Sequence, residues 1–114
     1  MIKTNQPQEG IYIIRPEGRL DAMAVPEFDD TTAKLISAET KGLIFDLEIT
    51  SFVDSSGLSS IIKLYKAVHQ HKIPVAFCRI PPPVMSLFKL TKVNTVFNIC
   101  DSLAEATAKV APKR

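Results

Sequence analysis

Between two apolar stretches, Leu43–Leu47 and Leu58–Val68, the chain sets "TSFVDSSGLSS", a carboxylate and a glycine among clustered hydroxyls. Three kinds of chemistry suit such a cluster: capping a helix, holding an anion, or accepting a transferred group on a serine. Ser55 or Ser56 can cap a helix that begins here, and Gly57 lets the backbone turn tightly. The unbonded N–H groups and the dipole at a helix start tolerate negative charge, phosphate included. Residue types alone leave capping and phosphate acceptance both open.

Catalysis by a serine of this cluster is disfavoured. The Gly-x-Ser-x-Gly frame of a nucleophile elbow is absent. The two histidines, His69 and His71, fall 13 and 15 residues beyond Ser56, roughly 20 Å along a helix. As metal ligands they are a poor pair, since residues two apart do not share a helix face. Glu27, Asp29 and Asp30 read as a solvated face. Asp46, in "IFDLEIT", superficially resembles the acceptor aspartate of a phosphorelay receiver, but no acidic pair follows the first strand. A Gly-rich phosphate loop is also missing. Cys78 and Cys100 sit among apolar neighbours and read as buried, reduced thiols.

The elements that must position the cluster follow from periodicity. A first strand is expected over residues 2–5, a turn from Gln6 to Gly10, and a strand at Ile11–Ile14. Pro26 suits the first turn of a helix carrying Val25, Phe28, Thr32, Leu35 and Ile36 on one side. Leu43–Leu47 has the continuous apolar character of a central strand buried on both faces. Leu58, Ile61, Ile62, Tyr65 and Val68 form a helical stripe, with Ser59, Lys63, Lys66 and Gln70 opposite. Further strands are expected at Val75–Cys78 and Val96–Cys100. A short helix through Val84–Thr91 lies between them, and a last one, Leu103–Val110, is capped by Asp101 or Ser102 and followed by the basic Pro112-Lys113-Arg114. Alternating helices and strands after an initial strand pair predict an α/β sandwich, a mixed sheet of about five strands with about four helices packed on it. On this reading the polar cluster lies at the carboxyl end of a central strand, where open α/β sheets usually meet their ligands.

Composition sets the bounds. At 114 residues, 46% hydrophobic and 23% charged, the chain is expected to form a single domain over residues 1–114. The net charge of +2 gives no ground for direct nucleic-acid binding, but residues 1–60 hold 5 basic against 10 acidic side chains and residues 61–114 hold 9 against 2. That polarity favours a charged partner. No apolar run reaches the ~18 residues of a membrane span, and MIKTNQPQEG lacks a signal-peptide core, so the expected compartment is the cytoplasm.

The run "LIFDLEITSFVDSSGLSSIIKLYKAV" resembles the phospho-acceptor segment of STAS domains, the family of anti-sigma factor antagonists and sulfate-transporter tails. "EGRLDAMAVPEF" resembles the family's Gly-x-Leu-Asp loop and first helix, and "VMSLFKLTKVNTVFNICDSLAEA" its C-terminal helix–turn–strand–helix. The resemblance spans nearly the whole chain. It implies that Ser56 is the phosphorylated residue, that Asp54, Ser55 and Gly57 flank it, and that Asp21 lies near. Lys92 stands where many members have Gly, which implies an altered or strained turn.

The implied function is that of a non-enzymatic anti-sigma factor antagonist needing no cofactor. Unmodified, it binds an anti-sigma factor that is also a serine kinase; phosphorylated, it lets go, and a metal-dependent serine phosphatase resets it. Ser59, Lys63 and Lys66 are the expected partner-binding residues, and the free protein is expected to be a monomer. The alternative is a STAS module acting as a transporter-associated subunit or a scaffold without phosphorylation.

Overall fold

The computed structural model describes residues 1–111; the basic segment Pro112–Arg114 lies outside them. The chain opens as an antiparallel hairpin of β1 (Ile2–Gln8) and β2 (Ile11–Pro16). β1 runs past Asn5, where a turn was expected, because a register shift between Asn5 and Gln8 absorbs Gln6 and Pro7 into the strand. Pro7 is tolerated there because β1 is an edge strand. Only Glu9 and Gly10 turn, with Gly10 at φ +81°.

The main sheet has the order β1-β2-β4-β6-β7, with β4 (Gly42–Asp46) central and parallel to both β2 and β6 (Val75–Cys78). Every residue of β4 is buried, as its unbroken apolar run predicts. β7 is only Ile99–Cys100, shorter than the expected 96–100. A 3-10 turn at Val93–Thr95 takes up the preceding chain, leaving Val96 exposed and turning Phe97 into the core. Lys92 enters that turn at φ +65°, the left-handed conformation that the missing glycine would have adopted freely.

Three helices cover one face of the sheet. They are α1 (Val25–Ala33), α2 (Ser55–Gln70) and α3 (Pro82–Leu90). Beneath them Phe77 meets Phe45 at 4.7 Å and Phe97 at 4.2 Å between ring centroids, and Phe28 and Phe88 extend the stack. α1 ends before Leu35 and Ile36, which still pack on this core as partly buried residues. On α2, Leu58, Ile61, Leu64 and Val68 are buried, while Ile62 and Tyr65 of the expected stripe are half-buried on its flank. The other face carries α4 (Leu103–Val110) alone, over Ile11, Ile13, Ile44, Ala76, Cys78 and Cys100. Ser102 caps α4, accepting the Glu105 N–H at 3.0 Å. The five-stranded mixed sheet and four helices are as expected.

A second, two-stranded parallel sheet was not legible in the sequence. β3 (Gly18–Leu20) pairs with β5 (Thr50–Val53) beside the main sheet. Two bonds anchor it, from the Gly18 N–H to the Ile49 carbonyl (2.9 Å) and from the Thr50 hydroxyl to the Pro16 carbonyl (2.6 Å).

Candidate functional site at the start of helix α2

The small sheet positions the polar cluster. β5, not the central strand β4, runs directly into α2 through Asp54, so the cluster lies at the end of the accessory sheet. Asp54 itself is the cap, in place of the expected Ser55 or Ser56. Its extended backbone lets Oδ1 accept the Gly57 N–H at 2.8 Å, which a serine inside the first helical turn is too far along to do. Asp54 Oδ2 accepts the Ala22 N–H at 3.3 Å, and the Asp54 N–H donates to the Leu20 carbonyl at 3.3 Å. One residue thus joins the start of α2 to the end of β3.

Gly57 is required for a different reason from the one its type suggested. It lies inside α2, and a Cβ there would stand 2.1 Å from the Leu20 carbonyl oxygen. The glycine permits close approach of helix to strand.

Asp21 closes the frame. Its Oδ1 accepts the N–H groups of Met23 (3.1 Å) and Ala24 (3.2 Å), holding the loop ahead of α1. Its Oδ2 receives Arg19 Nε at 3.4 Å. Arg19 in turn lays its guanidinium 4.2 Å from the centre of the Phe52 ring, across the β3–β5 register. Ser55 is exposed and Ser56 half-buried within this surround. Met23, 91% exposed, and Phe52, 37% exposed, add apolar surface beside it. Sequence reasoning missed Arg19 and Phe52, whose strands are too short to display a period, and Met23, which lies in the turn between β3 and α1. The alternation of Arg19 and Asp21 about buried Leu20 was the available signal.

Ser59, Lys63 and Lys66 are exposed along α2, as their spacing predicts. Lys63 is not free, since its Nζ lies 3.6 Å from Asp29 Oδ2 on α1. It borders a groove of about 360 Å³ between the two helices, floored by Leu64 and Ala67. His69 stands near the far end of α2, stacked on Tyr65 with centroids 5.9 Å apart, so it is no base for Ser56.

Asp46 is fully buried and committed elsewhere. Arg15 Nε donates to it at 2.8 Å, Arg79 donates through Nε at 3.0 Å and through Nη2, and the Glu48 N–H adds a fourth bond at 3.2 Å. Burial alone would raise its pKa, but these hydrogen bonds hold the carboxyl below the usual carboxylate range. A carboxylate so enclosed is a poor phosphoryl acceptor. Cys78 and Cys100 are buried free thiols, register partners on β6 and β7. Burial, with the Asp46 charge adding to it, pushes the Cys78 thiol up to about 11.

The sequence profile of the STAS domain matches residues 3–106. The chain belongs to the STAS domain family. This STAS chain is 27% identical over 105 residues to the anti-sigma F factor antagonist of Paenibacillus polymyxa, covering 89% of the chain and 87% of that relative. It is 24% identical over 92 residues to the anti-sigma-B factor antagonist of Staphylococcus aureus (strain NCTC 8325 / PS 47), covering 81% and 85%. Among solved structures it is similar in fold to the anti-sigma factor antagonist SpoIIAA in its unphosphorylated form (TM-score 0.82, 20% identity, 96% of each chain). It is also similar to the structure of the Bacillus cell fate determinant SpoIIAA in the phosphorylated form (TM-score 0.77, 19% identity, 97% and 100%). Among the described residues, no helix of the STAS chain is long and apolar enough to cross a membrane.

Proposed function

We propose that this STAS chain is an anti-sigma factor antagonist, one domain over residues 1–114, switched by phosphorylation of Ser56. The observation that carries the reading is the setting of Ser56. It is a half-buried serine in the first turn of α2, beside the Asp54 cap and the Asp21 loop bonded to it, with His69 near the other end of the helix. Such a serine does not attack a substrate by itself; it waits for a kinase. Its curated relatives bear antagonist names, and SpoIIAA is described in both unphosphorylated and phosphorylated forms, which supports the same reading.

In this scheme the unmodified chain docks on an anti-sigma factor that is a serine kinase, through the surface around Ser56 and the stripe Ser59, Lys63 and Lys66. The kinase transfers the γ-phosphoryl group of ATP to Ser56 Oγ, releasing ADP. The new group carries about −1.5 to −2 charge at neutral pH. Asp54 and Asp21 already place two carboxylates at this spot, so a fitted interface meets repulsion and the cost of desolvating a dianion. The antagonist's own fold is spared, because first-turn N–H groups accommodate the phosphate. A metal-dependent serine phosphatase resets the cycle, and the free chain is a cytoplasmic monomer.

Incubation with the cognate kinase and ATP is expected to add one phosphate, lost in Ser56→Ala and retained in Ser55→Ala. Ser56→Asp is expected to fold normally and bind the kinase more weakly. A phosphate on Ser55 would shift the assignment by one residue. Absence of any phosphate with the true partner present would refute the switch and favour a transporter-associated or scaffold module.

A further inference from the structure

Resting on the reading of Ser56 as the modified residue, we propose that Arg19 is the residue that reads its phosphate. In the unmodified chain the guanidinium is parked over Phe52 and against Asp21; the phosphate becomes its counter-ion in their place. Three observations lead there.

Charge is the first. Across β3, the loop Asp21–Ala24, β5, the Asp54 cap and the first turn of α2, the only charged side chains are Arg19, Asp21 and Asp54. Arg19 is the single cation of the frame. On the elements packed against it, α3 carries only the exposed Lys89. α1 carries Glu27, Asp29 and Asp30, paired with the N-terminal amine, Lys63 and Lys34.

Position is the second. The end of β3 crosses the start of α2 so closely that no side chain fits between them at Gly57. Leu20 accepts the Asp54 N–H and leaves no room for a side chain at Gly57, while Ala22 bonds the Asp54 carboxylate. Arg19 therefore pivots from the strand that abuts the turn bearing Ser56.

The third observation is how loosely Arg19 is held. Its side chain is 63% exposed, and among the described residues its only ion pair is one 3.4 Å contact with Asp21. The Phe52 ring holds the guanidinium face, leaving the forked N–H edge for another acceptor. One 3.4 Å contact between a mostly exposed guanidinium and a half-buried carboxylate, and an aromatic face, are both weak holds. A phosphate dianion offers a charge-assisted, two-point acceptor, which Arg prefers. Phosphorylation thus withdraws Arg19 from Asp21 and uncovers Phe52, altering both the charge and the shape of the surface beside Ser56. Arg19 is a positioning residue in this account; it does no chemistry.

The test is a 31P titration of chain with phosphoserine installed at position 56 during synthesis, which removes dependence on any kinase. A free phosphoserine has a second pKa of about 6. With Arg19 as counter-ion, the wild-type value is expected to lie below that of Arg19→Gln by at least about half a unit, with Arg19→Lys between them. The Arg19 Nε–H resonance of the wild type is expected to shift between unmodified and phosphorylated chain, a readout independent of whether the variants fold. Matching titrations for wild type and Arg19→Gln, or an unmoved Arg19 resonance, would overturn the assignment. Failure of the kinase to modify Ser56 would strike the switch itself, and the titration separates the two failures.

Discussion

Replacing Gly57 with Ala adds one methyl group at the tightest point of the site. The new carbon would stand 2.1 Å from the Leu20 carbonyl oxygen and 3.0 Å from its carbon, so α2 or β3 must retreat by on the order of 1 Å to restore normal contact. The obstacle is backbone that is itself bonded to Asp54, so no side chain can swing aside. Overpacking costs about 1–3 kcal/mol, and a rigid neighbour puts this case near the top of that range. Alanine's better helix propensity returns about 1 kcal/mol. The net expectation is a loss of about 2 kcal/mol, a fall of roughly 1 M in the urea midpoint at an ordinary slope for a small domain. Equilibrium urea unfolding of the two proteins measures it. A Gly57→Ala midpoint equal to or above the wild type would refute the close-approach argument. It would also mean that the Leu20–Asp54–Ala22 junction is not the rigid frame described.

Asp46→Ala is expected to cost about 3–5 kcal/mol, because it leaves Arg15 and Arg79 facing each other without the buried carboxylate. The folded-state pKa of Asp46 is depressed, so its stabilisation is complete above the unfolded value of about 3.9 and drains away as pH falls through the native one. Urea midpoints measured from pH 7 to pH 2 should therefore show a shallower acid limb in Asp46→Asn than in wild type; superimposed limbs would contradict the sign. At pH 8 a thiol with pKa near 11 is ionised in about one molecule per thousand. Native protein should thus react slowly with a thiol reagent and rapidly in denaturant, and prompt native labelling of Cys78 would disprove its burial. Charge reversal at both Lys63 and Lys66 should weaken kinase binding at low salt, where exposed charges are least screened. Unchanged affinity there would remove this stripe from the interface.

The long elements were legible because one signal dominates each of them. β4 is apolar throughout, and α2 repeats its core residues over sixteen positions, so neither can be read as anything else. The short ones were not. β3 has three residues and β5 four, too few to show alternation, and their pairing joins segments that only the folded sheet brings together. That is why the hydroxyl cluster stood out by its motif while the contact of Arg19 with Phe52 across the two strands did not. The cap was misassigned for a related reason: Asp54, Ser55 and Ser56 are all good capping residues, and only backbone geometry decides which one takes the Gly57 N–H. Gly57 was read as a turn-maker because composition cannot reveal that a carbonyl lies against it. Lys92 was expected to mark an altered or strained turn, and of those two it is the strained one, a non-glycine residue at φ +65°.

The margins of the main sheet bear on how other molecules can attach. β1 is long, yet six of its seven residues are exposed, and its course carries Lys3, Pro7 and a shift of register. β7 offers only two residues. Both borders are therefore poor templates for an added strand, by the devices that natural sheets use against edge-to-edge growth. Recognition is left to side chains and helix faces. The phosphorylation switch proposed above suits that arrangement, because a visitor held by side chains alone lets go when the surface chemistry changes.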